Sequence, residues 1–544
     1  MFNRLFLPLC MFMLLFSCMK GQKVDLIIHN AKIHSMDDAN SVHEAMAIRD
    51  GEIVELGPER QILNKYRCDE EIDALGKDVY PGLTDAHGHL LMYANQKLGV
   101  DLTGAKSMDE VIYRCEKYYA KSPNKFIIGN GWDQSLWGTD SMPNNKKLSQ
   151  QFKNIPVCLF RVDGHAALVN DYLLKRSNVL DVQFDGGKIC LEDGVPSGLL
   201  IDNAMNRVVQ LLPKYSLKQL KSAILEIQDE LFQYGITGVH EAGIENKHIA
   251  MFQSMVKSGK LKLDVYAMLL NSKENQMFAM KHGPYRYRNL HIRSFKVFAD
   301  GSLGSRGALL KKPYSDDPHA HGSLVTPIEE MKKLASFCLK YGYQMNTHGI
   351  GDSANAIVLS IYKNAFMRNP DHRFRIEHAQ VIDPIDFAKF AEFAVFPSVQ
   401  PTHATSDSRW AEKRLGKDRL NGAYAYKSLL NQFGMLAVGT DFPVESTNPF
   451  YTIYAAVQRK NSKGDTGAAF LPKEALTFEE VVKGMTIWAA FACFREKEIG
   501  SLEAHKKANF VIFDKPMTSN EVFTQNYAWK TFIEGKLVFE LDEL

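Results

Sequence analysis

Pro81-Gly82-Leu83-Thr84-Asp85-Ala86-His87-Gly88-His89-Leu90 is the stretch on which the reading of this chain turns. A turn-forming Pro-Gly pair opens a short apolar run that ends on two histidines. Residues two apart on a β-strand point to the same side, so both imidazoles can reach one ion. Asp85 shares their parity and is a candidate supporting group. An HxH pair alone is weak evidence, but this one sits where a strand ends, and barrel enzymes keep their chemistry at the C-terminal ends of their strands.

Downstream, strand-like runs recur: GITGVHEA, LKLDVYAMLL, RSFKVFADG, GYQMNTHG, RFRIEHAQ, EFAVFPSVQ and GMLAVGTDFP. Helical segments such as LKQLKSAILEIQDELFQYG and PIEEMKKLASFCLKYG lie between several of them, each closing on a glycine. Repeated β-α alternation predicts an α/β fold with a parallel sheet and crossover helices, with enough units over residues 81–494 to close an eight-stranded barrel. A Gly-, Asp-, Asn- and Trp-rich stretch, about 103–207, breaks the rhythm and reads as an inserted subdomain. The two ends, 19–80 and 495–544, are β-like with Asp50-Gly51 and Glu534-Gly535 turns, and are expected to pair into one small sheet domain.

Potential metal ligands end several of these runs: His87 and His89, then Lys296, His348, His378 and Asp441. One histidine at a strand end is ordinarily structural. Six such residues on successive units of one barrel would converge on a single rim. His319 and His321 in SDDPHAHGS also spell HxH, but in turn composition with no apolar strand before them, and are not expected to ligate.

The remaining features bound the answer. The chain has 544 residues, 45% of them hydrophobic and 24% charged, with a formal charge of +2, so neither disorder nor nucleic-acid binding is expected. No GxSxG elbow, P-loop or GxGxxG is present, which excludes serine-hydrolase, NTPase and dinucleotide readings. Leu5 to Phe16 is apolar but shorter than the roughly 20 residues of a spanning helix, and fits the core of an export signal. Leu15-Phe16-Ser17-Cys18 resembles a bacterial lipobox, so residues 1–18 are expected to direct export to the bacterial cell envelope with Cys18 lipidated and membrane-anchored; an ordinary signal peptide or a retained anchor are the alternatives. The other cysteines are widely spread with no CxxC, and read as small buried apolar residues.

Taken together, PGLTDAHGHL, RVDGHAALVN, KVFADGSLGSRGALL, HGIGDSANA, RIEHAQ and the Gly-Thr-Asp-Phe-Pro run resemble the amidohydrolase superfamily, family 3 subgroup, over nearly the whole chain. The resemblance implies a TIM-like (β/α)8 barrel with a composite β-sandwich from both termini. It implies metal ligands at His87, His89, Lys296, His348, His378 and Asp441. Lys296 would be carboxylated, bridging two divalent ions; the residues themselves leave a structural lysine paired with Asp300 open. Zinc suits these ligands, with iron, manganese or cobalt as alternatives. The implied reaction is attack of metal-activated hydroxide on a non-peptide C–N bond of a small amide-like molecule, with Asp441 taking the proton and passing it to the leaving nitrogen.

Arg161, Asp163, His165, Trp132, His240 and His403 are candidate substrate contacts, with Asp133 and Glu241 beside them. The alternatives are a cyclic amidohydrolase or deaminase with one metal, or an inactive surface binding protein on the same scaffold. Filled ligand positions favour the enzyme. A homo-oligomer is left open. SLEAHKKANF departs from the Gly-Lys-x-Ala-Asp usual in the family, in the expected sandwich.

Overall fold

The computed structural model describes residues 21–121, 126–138, 141–182, 185–461, 467–517 and 525–542. The expected export signal, residues 1–18 with Cys18, lies outside the described residues. Among those described, no helix is long and apolar enough to cross a membrane.

Eight parallel strands form the central sheet in sequential order: β1 (Leu83–Gly88), β2 (Ile236–Ile244), β3 (Asp264–Leu270), β4 (Leu290–Phe298), β5 (Gln344–Gly349), β6 (Arg375–His378), β7 (Phe396–Val399) and β8 (Ala437–Val438). All but a few of their residues are buried, as expected of strands covered on both faces. The crossover helices carry their own signals. Leu217–Phe232 opens on a Ser216/Gln219 capping box, and Ile328–Tyr341 stops at Gly342, whose φ of 73° few other residues adopt.

The ring closes through the chain just beyond β8. The Asp441 amide donates to the His87 carbonyl (2.8 Å), and the His89 amide to the Phe442 carbonyl (2.9 Å). Asp85 completes the seam by accepting from the Thr440 amide (3.0 Å) and hydroxyl (2.6 Å). Gly439 is needed here because a Cβ would lie 2.5 Å from the His87 amide nitrogen and 2.7 Å from Asp85 Oδ1.

Between β1 and β2 the chain builds a separate six-stranded sheet, beginning at Val100, slightly before the expected boundary, and including Ile127–Trp132, Val157–Arg161, Ala166–Val169 and Val195–Asp202. It has its own core around Leu102, Val111, Leu148, Leu159 and Leu168. The terminal segments form three further sheets, of which the six-stranded one joins the two ends. Phe510–Phe513 pairs antiparallel with Asp78–Pro81, and Leu26, Ile28, Ile33, Met46, Phe510 and Phe532 share one apolar core. Lys506 and His505 of the departing SLEAHKKANF run bond to Ile53 of this sandwich through their backbones. The six described cysteines are free, and four of them are buried.

Replacing Gly439 with Ala should open the β8–β1 seam at a cost of about 1–3 kcal/mol. A lowered thermal midpoint would show it. Gly57→Ala, where the nearest atom to the new Cβ is 3.7 Å away, should leave the midpoint unchanged.

Candidate metal centre

β1 delivers its histidines at two depths. His87 is inside the strand and fully buried, whereas His89 begins the following helix, with 19% of its side chain exposed to the cavity above. His87 Nδ1 meets Glu377 Oε2 at 2.5 Å, which leaves Nε2 facing the centre of the barrel mouth. There Lys296 Nζ from β4 lies 3.2 Å from it and Asp441 Oδ1 3.6 Å. His89 Nε2 is 3.1 Å from the same Asp441 oxygen, and His403 Nε2 is 3.4 Å from the other. His378 packs between His87 and His348, with ring centroids 4.9 and 4.6 Å away. The six expected ligands are therefore one cluster, with His403 beside it.

The donor set fits a metal cation. Ligand atoms of His87, His378 and Asp441 all lie within 4.8 Å of one another. His378 Nδ1 and His403 Nε2 are buried without a hydrogen-bond partner, a costly arrangement that a cation would relieve. Burial drives His348 and His378 well below the usual imidazole range, and neighbouring cations and imidazoles add to it. Both therefore stand neutral, the form that ligates metals. Burial also pulls the Lys296 amine down to about 8, against the pull of Glu377 and Asp441. Two of the expected ligands adopt left-handed backbone, His378 at φ 73° and Asp441 at φ 63°. Such strain in non-glycine residues clusters at functional sites.

Beneath the cluster lies a buried charge pair. Arg375 Nη2 donates to Glu377 Oε2 (2.9 Å), Ser398 Oγ (2.8 Å) and the Ala86 carbonyl (2.8 Å). Burial would raise the Glu377 carboxyl, yet Arg375 and His87 hold it well below the usual carboxylate range. Arg375 and Glu377 were not among the residues singled out from sequence. Their signal is a pair of charges at alternate positions of β6, on the face an apolar barrel interior would claim.

Above the cluster is a cavity of about 530 Å³ between the barrel mouth and the insertion. Arg161, Asp163 and His165 line it from the insertion side, and His403 from the barrel. Arg161 pairs with Asp163 (2.5 Å) and Asp133 (3.2 Å), and Arg409 reaches Asp133 from the barrel side (2.9 Å). Asp407, bonded by the Tyr424 hydroxyl (2.8 Å), lines the same space, and burial pushes its carboxyl up to about 7.

Two expected contacts lie elsewhere. Trp132 is 1% exposed in the insertion core, where its indole N–H donates to the Leu159 carbonyl (2.7 Å). His240 is inside the barrel, its Nδ1 3.0 Å from Arg375 Nη1, below the cavity that Ala242 and Gly243 reach. Glu241 accepts from the Leu90 and Leu91 amides, and so caps the helix after β1. His319 and His321 are exposed in a turn region.

The sequence model described as amidohydrolase family matches residues 70–539. The chain belongs to the amidohydrolase family. Relatives span it almost completely. LONG AFTER FAR-RED 3 of Arabidopsis thaliana is 31% identical, covering 95% of this chain and 92% of its own. The N-substituted formamide deformylase of Arthrobacter pascens is 25% identical, covering 95% and 99%. An uncharacterized metal-dependent hydrolase from Pyrococcus horikoshii OT3 superimposes with a TM-score of 0.73 at 28% identity, over 90% of this chain and 97% of that one. This amidohydrolase is a metal-dependent hydrolase with a TIM-like barrel and an additional domain.

Glu377→Gln removes the carboxylate that fixes His87. Metal affinity should fall about 10–100-fold, read by competition with a chelator, and the thermal midpoint should fall as well because Arg375 is left as an unpaired buried charge.

Proposed function

We propose that this amidohydrolase cleaves a non-peptide C–N bond of a small amide-like molecule at a two-metal centre. The observation that carries the reading is the convergence of His87, His89, Lys296, His348, His378 and Asp441 beneath a single cavity. The kinship to a deformylase of N-substituted formamides supports the choice of bond. Bound divalent ions would acidify water to a pKa of about 7 and polarise a carbonyl.

The chain's own groups do the rest. Lys296 is buried among acceptors with its amine pulled toward neutrality, the state in which it can condense with carbon dioxide to an anionic carbamate. That carbamate would bridge two zinc ions. Asp441, held well below the usual carboxylate range by His89 and His87 despite its burial, is ionised and placed to accept the proton of the attacking water. Arg161, Asp163, His165 and His403 face the cavity as substrate contacts.

A mononuclear deaminase or cyclic amidohydrolase is the second reading, because His87, His378 and Asp441 alone already form a compact ligand set. On sequence grounds the enzyme is exported and held at the cell envelope by lipid on Cys18. Labelled palmitate should enter the wild type in a bacterial host and not Cys18→Ala.

Metal content after expression with zinc and bicarbonate should approach two atoms per chain and fall in Lys296→Ala. A value near one in the wild type transfers the assignment to the mononuclear reading. Asp441→Asn should lower amide hydrolysis by about 10²–10⁴-fold with the circular-dichroism spectrum of the folded barrel retained.

A further inference from the structure

The insertion ends its sheet on an unusual residue. Asp202, at the end of Val195–Asp202, has φ 48° and ψ −124°, a backbone conformation that an aspartate adopts only under constraint. Its side chain is 3% exposed, and Oδ1 lies 2.7 Å from His165 Nδ1. The barrel makes room for this carboxylate. A Cβ on Gly301 would fall 2.4 Å from Asp202 Oδ2, and one on Gly307 2.6 Å from it. Two bare backbone positions in the loop after β4 thus admit one acid from another subdomain.

With Nδ1 committed to Asp202, Nε2 is the remaining ring nitrogen of a residue that lines the metal cavity. The His165 ring lies 5.0 Å from that of His348 and 6.3 Å from that of Phe298, on the β4–β5 side of the mouth. Asp441 follows β8, which stands across an eight-stranded ring from β4. A carbonyl held over the metal centre would therefore have Asp441 on one flank and His165 on the other.

We propose that His165 is the proton donor to the leaving nitrogen and that Asp202 is its positioning residue, an inference that rests on the amide-hydrolase reading above. Water adds to the carbonyl carbon, and its proton goes to Asp441. The His165 Nε2–H proton then passes to the nitrogen as the C–N bond breaks and its electron pair stays on nitrogen. Amine and carboxylic acid leave, Asp441 releases its proton to solvent, and His165 takes one up from solvent. Asp202 accepts from the Nδ1–H, which orients the ring and stabilises the imidazolium, the form in which Nε2 also carries a proton to give; after transfer the ring is left neutral with Nδ1–H still on Asp202.

The test compares His165→Gln and Asp202→Asn with the wild type in the zinc-loaded full chain, on an N-acyl alkylamine and on the nitrophenyl ester of the same acid. An alkylamine must be protonated to leave, whereas nitrophenolate leaves as the anion. Both variants should lose about 10²–10⁴-fold in kcat on the amide and less than about fivefold on the ester, with KM little changed. Asp202→Glu should recover part of the amide activity. A low-field proton resonance from the hydrogen-bonded Nδ1–H should be present in the wild type and missing in His165→Gln.

Equal losses on amide and ester, or metal content falling in step with kcat, would overturn the proposal. So would a low-field spectrum that His165→Gln leaves unchanged. A wild type that binds metal but hydrolyses neither compound, while deaminating an amidine, would overturn the amide reading and this inference with it.

Discussion

The ion pair between Arg375 and Glu377 is the constraint on which the site depends. Both side chains are fully buried in the barrel interior. An isolated charge there would cost several kcal/mol, and even a pair offsets that cost only when its remaining hydrogen bonds are made. Here they are directed with purpose. Arg375 ties β6 to Ser398 of its neighbour β7 and, across the barrel interior, to Ala86 of β1. Glu377 turns its own oxygen onto His87 and thereby fixes which imidazole nitrogen faces the metal. An apolar pair of the same volume could stabilise the barrel as well, but it could not choose that nitrogen.

The seam at β8–β1 carries the same logic to the rim. Asp441 is at once the residue whose amide closes the ring on His87 and the carboxylate that three imidazoles surround. Its left-handed backbone turns the chain there, so the closure and the ligand position are one geometric event. Asp85, next to it, spends its carboxylate on Thr440 and the His87 amide rather than on metal. Strand parity put Asp85 with the histidines correctly. Its depth in the barrel makes it a support.

That distinction explains what could be read from sequence and what could not. Alternation of short apolar runs with helices specified the barrel, because the period of each element is a local property. The candidate cluster was legible from recurrence: one polar residue closing an apolar run is ordinarily structural, but six on successive units share one rim. Depth along a strand is not local. His240 ends an apolar run much as His348 does, yet it sits below the cavity because β2 extends to Ile244, beyond it. Trp132 stands beside Asp133, which does face the cavity, and one step along the strand puts the indole into the insertion core. Asp202 carried no local signal whatever. Its role depends on Gly301 and Gly307, a hundred residues away in another subdomain, leaving space for it.

The unpartnered donors finally bear on why the site is spread over so many strands. His378 Nδ1 and His403 Nε2 are buried without hydrogen bonds, and each such group costs about 1–3 kcal/mol. His378 and the neighbouring Asp441 also carry left-handed backbone strain. Such a cluster would relax apart if its members shared one flexible loop. Placed after β6, β7 and β8, each is held by a separate strand whose ladder hydrogen bonds and apolar flanks oppose the relaxation. The barrel supplies the rigidity and a bound cation recovers the stored cost, so metal binding is coupled to stability across the mouth of the barrel.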